Sequence, residues 1–459
     1  MTAIRSPACG TDPLRSLRRL GMMVAAVIGL PGCINAYYQA PRTAVDERVY
    51  ASFFPYFAEY CAVSEFNKKK GVGVGVDLEG GGPGGHSVFY LNGACRVRDA
   101  GYPVLALCSE SADGMAGRGV GLSVNDHYAN ANWTATEGRD FFYHGARAPG
   151  EGLSRASYAR TQQEAKAAGI LDGVVFHPEA LEPKPADMSV TDYMYDISVA
   201  TDYAIDLARD RFCARVPLDR GKMEIIVRYL NALNEPYRTG QKEFHWNVLR
   251  DNCAYVAHNA LAMVGVWPEL PPDRSLFIAA FDFPVPKNEF VNLMRRTNDM
   301  PIADPDDLYD NELDRVTLLQ QGWIATEPGA LAEARPAVQP NELYNTHLRL
   351  IFYDEPIFGH YQERFDRIFA EPRYTDLAAN LSYFSQMYTG ILTKSQVFPS
   401  GMSTARAAFY QRYYDTIARK KVDVELRKFL GLVKEPQAAA PPAPPVAPPP
   451  AAAASRARG

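Results

Sequence analysis

The 459-residue sequence holds no stretch approaching the roughly 20 consecutive apolar residues that a membrane-crossing helix requires. It has no excess of positive charge. Lys and Arg total 48 against 53 Asp and Glu, and without residues 1–32 the balance is 44 against 52. A net acidic chain is a poor nucleic-acid binder, and a basic stripe with interleaved aromatics is also lacking, since Lys68-Lys69-Lys70 reads as a solvated turn. His-Glu-x-x-His, Cys-x-x-Cys and calcium-loop spacings are missing, so neither a metal nor a cofactor is expected. Gly71–Gly85 is rich in glycine but lacks the Lys-Ser or Lys-Thr of a phosphate loop and leads into a strand pattern, which argues against nucleotide binding.

What is present begins with a targeting signal. Arg15 to Arg19 form a basic region, Leu20 to Leu30 an apolar stretch too short to span a bilayer, and Leu30-Pro31-Gly32-Cys33 a small-residue cleavage site ending in cysteine. That order resembles the lipobox of bacterial lipoproteins. The resemblance implies removal of residues 1–32 and lipid on Cys33, and hence a membrane partner reached through lipid alone. Ile34 follows the cysteine where aspartate would retain some Gram-negative lipoproteins at the inner membrane, so the expected address is the outer membrane, facing the periplasm. Export exposes the 7 cysteines to an oxidising compartment. With Cys9 in the leader and Cys33 acylated, Cys61, Cys95, Cys108, Cys213 and Cys253 remain, an odd set that leaves one thiol free. A hairpin turning at Gly101-Tyr102 brings Cys95 across from Cys108; with Cys253 taken as the free thiol for its place at a helix start, Cys61 and Cys213 would be the remaining pair.

The chain is expected to divide into a leader (1–32), an anchor segment with a helix (33–70), a β-rich domain (71–269), a mainly helical region (270–435) and a disordered Pro/Ala tail (436–459) that could reach a protein partner. Val49, Phe53, Tyr56 and Tyr60 lie at helical spacing. Strand patterns cover Ser87–Leu91, Val104–Cys108, Val120–Val124, Asp140–Tyr143, Val174–His177, Tyr195–Leu207 and Phe244–Leu249. Helical patterns cover Ser157–Ala168, Asp219–Glu235, Ala254–Val264, Leu308–Gln320, His360–Phe369 and Met402–Leu430.

The run Phe244 to Leu261 carries the chemistry. It sets Cys253 at a helix start behind Asn252, a good capping residue, where the positive end of the helix dipole favours the thiolate needed for nucleophilic attack. A thiolate needs a base within hydrogen-bond reach. His258, five residues along, points ~140° away round the helix. His245 just before the helix and His86 after the glycine loop both remain open on geometry alone.

Trp246-Asn247-Val248-Leu249 followed by Asn252-Cys253 resembles the aromatic-Asn-Leu-Leu and Asn-Cys signature of permuted papain-like proteins, relatives of the NlpC/P60 peptidases, and Gly85-His86-Ser87-Val88-Phe89-Tyr90 resembles their histidine strand. The resemblance covers two short motifs within about residues 85–265. It implies an α+β fold, an antiparallel sheet with a nucleophile helix followed by the helical region, with Cys253 as nucleophile and His86 as base. Glu110 and His127 are the candidates for a third polar residue that orients the histidine. The expected function is an envelope thiol hydrolase acting on an amide or peptide bond, with peptidoglycan stem peptides as the substrate that location and resemblance suggest. An acyltransferase or lipid hydrolase of the same superfamily, and a non-catalytic binding or scaffolding lipoprotein, are the alternatives.

Overall fold

The computed structural model describes residues 34–36, 45–64, 70, 85–109, 114–271, 284–346, 351–353, 361–394 and 401–434. The leader, Cys33, most of the glycine-rich loop, Glu110 and the Pro/Ala tail lie outside these residues. The fold is mixed α and β with an antiparallel sheet. The strands are β1 (Ile34–Ala36), β2 (Tyr56–Val63), β3 (His86–Asn92), β4 (Ala94–Arg96), β5 (Leu105–Leu107), β6 (Gly119–Ser123), β7 (Thr134–Glu137), β8 (Arg211–Leu218), β9 (Leu331–Arg335) and β10 (Ile351–Tyr353). The main sheet runs β7-β6-β3-β2-β8-β9, while β4 with β5 and β1 with β10 form separate pairs.

Period-two alternation sorts the central strands into two apolar layers. Ala58, Tyr60, Ala62, Phe89 and Leu91 face one core, and Phe57, Cys61, Val63, Val88 and Tyr90 face the other. Two disulfides staple the fold. Cys61 and Cys213 bond as direct register partners on β2 and β8. Cys95 bonds Cys108 diagonally, because Cys95 sits opposite Ala106 and not opposite Cys108. Cys253 is the free cysteine.

Of the thirteen helices among the described residues, α1 (Glu47–Phe53), α2 (Arg139–His144), α3 (Arg155–Ala167), α4 (Pro178–Leu181), α5 (Val190–Ser198), α6 (Arg220–Arg238) and α7 (Cys253–Ala262) come first. Then follow α8 (Pro286–Asn298), α9 (Pro305–Asp310), α10 (Glu312–Gln321), α11 (Tyr361–Ala370), α12 (Leu377–Thr393) and α13 (Thr404–Lys434).

Five stretches differ from the expectations, the first being Val174–His177, which forms no strand but a single bridge from Phe176 to Tyr128. The helical spacing through Tyr60 breaks at Pro55, which cannot continue a helix, so α1 ends and the next residues become β2, a central strand. Asp140–Tyr143 is the short helix α2, admitted because Gly121 beneath it has no Cβ: one built there would lie 2.1 Å from the Phe142 ring. Tyr195–Leu207 is not a strand, because Ser189 caps α5 by accepting from Asp192 N–H and the chain then turns. Phe244–Leu249 lacks a partner strand; Phe244 alone is buried, its N–H donating to Ala129 O at 2.7 Å. The boundary drawn near 270 does not divide the sheet, since β9 from the helical half pairs with β8.

Beneath the second layer the sheet buries charge. Arg139 donates to both carboxylate oxygens of Glu59, at 3.0 and 2.9 Å. Arg215 reaches Glu333 at 3.0 Å, and Arg211 holds Asp206 through two bonds at 2.9 and 3.0 Å. Burial pushes the Glu59 carboxyl up, but Arg139 and Arg215 outweigh it and hold the group below the ordinary carboxylate range.

Candidate active site around Cys253

Asn252 organises the start of α7. Its Oδ1 accepts from the N–H groups of Ala254 and Tyr255 at 2.9 and 3.1 Å, and its Nδ2 donates to Val248 O and Pro284 O at 2.8 and 3.0 Å. The cap therefore takes two of the amides that a helix start leaves unpaired and fixes the preceding loop to the helix. Among the described residues, the Cys253 N–H carries no hydrogen bond to another residue, so it remains available at the first turn.

The sulfur meets the sheet where two strands part. β6 pairs with β3 only over Phe89–Asn92, whereas β2 pairs with β3 down to His86. Ser87 lies beyond the end of the β6 ladder, and its N–H donates to Cys253 Sγ at 3.3 Å. The peptide group that touches the nucleophile candidate is thus the one joining His86 to Ser87. Gly85 sets this turn: its φ is +69°, and a Cβ there would lie 2.5 Å from Val63 O, so only glycine can lead the chain into β3.

His86 projects on the side of Val88 and Tyr90 and meets Ser123, which ends β6 on that same side. The two are joined at 3.2 Å through Nε2 and Oγ. Ser123 donates its hydroxyl proton to Thr201 O at 2.7 Å, because a carbonyl can only accept. Ser123 Oγ must therefore accept from Nε2–H of His86, which leaves Nδ1 with the lone pair a base requires. Burial, assisted by the nearby Arg209 guanidinium, pushes the imidazole down to about 3, so it is neutral at physiological pH.

Cys253 departs from the expectation of a ready thiolate. Burial pushes its thiol above the ordinary range and outweighs the Ser87 groups and Arg209, which favour the anion. The thiol and the imidazole lie on opposite faces of β3, Cys253 Sγ on the Ser87 and Tyr60 side and the His86 ring on the Val88 and Tyr90 side, and no hydrogen bond joins them among the described residues. On the sulfur's own side lie the Ser87 hydroxyl, buried and without a hydrogen bond of ordinary geometry, and the Tyr60 hydroxyl, which donates to Pro286 O at 3.0 Å.

The other histidines stand elsewhere. His258 stacks on Trp267 with ring centroids 4.4 Å apart and contacts Glu289 and Pro268 O, each at 2.9 Å. His245 is exposed and stacks on His177 at 5.1 Å. His127 packs against Phe176 and lies 3.4 Å from Asp126, not on the His86 ring. The group that meets the imidazole is Ser123, which sequence reasoning missed; its one signal was its place at the end of the next sheet strand after the histidine strand.

No family model, curated protein or solved structure matches this chain. The chemistry must be read from the geometry itself: a thiol at a capped helix start, its own amide at the first turn, and a neutral imidazole on the adjoining strand residue that faces the other side of the sheet.

Proposed function

We propose that the protein is a lipid-anchored thiol hydrolase of the cell envelope, built as a permuted papain-like domain and acting on an amide or peptide bond. The observation that carries this reading is the peptide N–H between His86 and Ser87 donating to Cys253 Sγ at the capped start of α7. The histidine strand precedes the cysteine helix in the chain, the order the permuted arrangement requires. Two formed disulfides beside one free thiol support passage through an oxidising compartment. No helix among the described residues is long and apolar enough to cross a membrane, and the proposed attachment is through lipid on Cys33.

In the proposed reaction the substrate carbonyl approaches the sulfur and excludes water. The scheme requires the edge of β3 to turn so that the His86 ring leaves the Ser123 face and reaches the sulfur; the Cys253 S–H proton then passes to the imidazole as the C–S bond forms, and the Cys253 N–H receives the developing oxyanion. The imidazolium then protonates the departing amine as the C–N bond breaks, and water deprotonated by His86 cleaves the thioester. An amine or alcohol in place of that water would make the enzyme an acyltransferase, and an ester substrate would make it a lipid hydrolase.

The test incubates the purified chain, Cys253→Ala and His86→Ala with peptidoglycan stem peptides and, in parallel, with phospholipid vesicles, with mass detection of products and of acyl adducts. Release of a cleaved amide that both substitutions abolish, with an adduct on Cys253, is the expected result. The raised thiol pKa favours a second reading, a non-catalytic binding lipoprotein. A Cys253 that forms no adduct with either substrate class would decide for it.

A further inference from the structure

Three side chains that the scheme above does not use converge beside the loop leading to Cys253. His177 directly follows the Phe176–Tyr128 bridge, and its N–H donates to His127 O at 2.8 Å, which fixes where its side chain starts. Opposite it runs Glu243-Phe244-His245. Phe244 is buried, whereas the side chains of Glu243 and His245 are 57% and 60% exposed. Alternation along an extended segment thus turns Glu243 and His245 to one side, away from the buried ring. There they meet His177. Its ring stacks on His245 with centroids 5.1 Å apart, its Nδ1 lies 3.2 Å from Glu243 Oε1, and His245 Nε2 lies 3.8 Å from Glu243 Oε2.

The tautomer of His177 gives that contact its meaning. Nε2 lies 2.8 Å from Phe244 O, a carbonyl that can only accept, so Nε2 carries a proton. Nδ1 of the neutral ring is then a lone pair aimed at a carboxylate oxygen, which repels it. Two such acceptors stay 3.2 Å apart only with a positive centre between them, either a second ring proton or a metal ion. A proton satisfies His177 and Glu243 alone. It gives no reason for a second imidazole nitrogen to stand toward the other carboxylate oxygen at 3.8 Å, too far for a hydrogen bond. A metal ion accounts for all three groups.

Zinc takes imidazole nitrogen and carboxylate oxygen at roughly 2.0–2.2 Å, which sets the ligand atoms of a tetrahedral shell about 3.3 Å apart. The His177–Glu243 contact already has that span, and His245 closes the remainder by turning an exposed ring. Water fills the fourth place. We propose that His177, Glu243 and His245 form a zinc site that clasps the loop before Cys253 to the Tyr128–Phe176 bridge. That loop continues to Val248, whose carbonyl accepts from Asn252 Nδ2 at 2.8 Å, so the ion steadies the start of α7. The tighter group of donor atoms, Glu59 with Cys61 and Cys213, is no rival, because its two sulfurs are bonded to each other and its carboxylate is held by Arg139. The ligands lie too far apart in the chain to form a recognisable spacing, and the inference does not depend on the reaction at Cys253.

The test is isothermal titration of zinc chloride into the chelator-treated full chain, free of any histidine tag, with nitrogen NMR of labelled histidine and thermal unfolding alongside. Wild type is expected to bind a single zinc ion that shifts the His177 Nδ1 signal and raises the unfolding midpoint. His245→Ala and Glu243→Gln are each expected to weaken binding by at least about tenfold, the loss that removal of even an outer-shell partner brings. Both residues are exposed, so neither change threatens the fold. Cys253→Ala is expected to bind as wild type, which separates the site from the free thiol. Undiminished binding in His245→Ala or Glu243→Gln, or binding lost in Cys253→Ala, would overturn the site. A His177 ring that is doubly protonated at neutral pH and unchanged by zinc would overturn it too, since that is the signature of a plain ion pair with Glu243.

Discussion

Replacing His86 by glutamine isolates a specific contribution to acid sensitivity. The imidazole is 5% exposed, and burial with Arg209 brings it from the ordinary 6.5 down to about 3. Because the folded value is depressed, the unfolded chain binds a proton below 6.5 while the folded chain does not. The stability is fully present above 6.5, is lost as the pH falls, and is gone below about 3. At 1.36 kcal/mol per pH unit the whole effect is roughly 5 kcal/mol, and about 2 kcal/mol of it has gone by pH ~5. Glutamine can keep an N–H toward Ser123 Oγ but does not titrate in this range. The measurement is urea unfolding of wild type and His86→Gln at about pH 8 and about pH 5. The variant is expected to lose about 2 kcal/mol less than wild type between the two, whatever its stability at pH 8. The buried carboxyls contribute in both chains and cancel in the difference: Asp206 and Glu333, held low by their arginines against burial, lose stability toward acid, and Asp202, held high by burial, does the opposite. Equal losses in the two proteins would refute the reasoning, because His86 would then titrate alike in folded and unfolded chains.

Three further outcomes follow from the packing. Glu59→Gln leaves Arg139 short of its main carboxylate in a buried site and is expected to destabilise by about 3–5 kcal/mol, read by denaturant unfolding at neutral pH. Removing Cys61–Cys213 as a double alanine variant should cost about 5 kcal/mol against about 3 kcal/mol for Cys95–Cys108, since the first closes the longer ring; their sequence separations are 152 and 13. The reverse order in thermal or urea unfolding would contradict the chain-entropy account. Asn252→Ala removes the cap of α7 and is expected to cost about 1–2 kcal/mol. Asn252→Asp keeps an oxygen for Ala254 and Tyr255 but sets its other oxygen against Val248 O and Pro284 O, so it should recover little of this, which the unfolding midpoint reads.

Cys253 at a capped helix start, the free-thiol assignment and the histidine strand were legible in the sequence because each rests on local signals. A capping asparagine, an apolar helix face, a run of strand-forming residues after glycine and the parity of five cysteines need no knowledge of distant contacts. The Cys61–Cys213 pairing followed by elimination. By contrast, Asp140–Tyr143 and Tyr195–Leu207 carry aromatic residues that suit a strand, and became helix or turn because Gly121 and Ser189 offered local packing and capping that short patterns do not weigh. β9 was missed because five residues of alanine and charge gain strand character only when Glu333 and Arg215 meet across the sheet.

The sequence by itself therefore determined which cysteine stays free and where its helix begins, since cysteine parity, capping and periodicity need no distant contacts. Only the tertiary structure decided the face of the sheet on which His86 lies and the partners it meets there. Ser123, Thr201, Asp202 and Arg209 are brought to His86 by the pairing of β3 with β6 and by the turn after α5, and burial at that junction, not the helix dipole, sets both the thiol and the imidazole neutral.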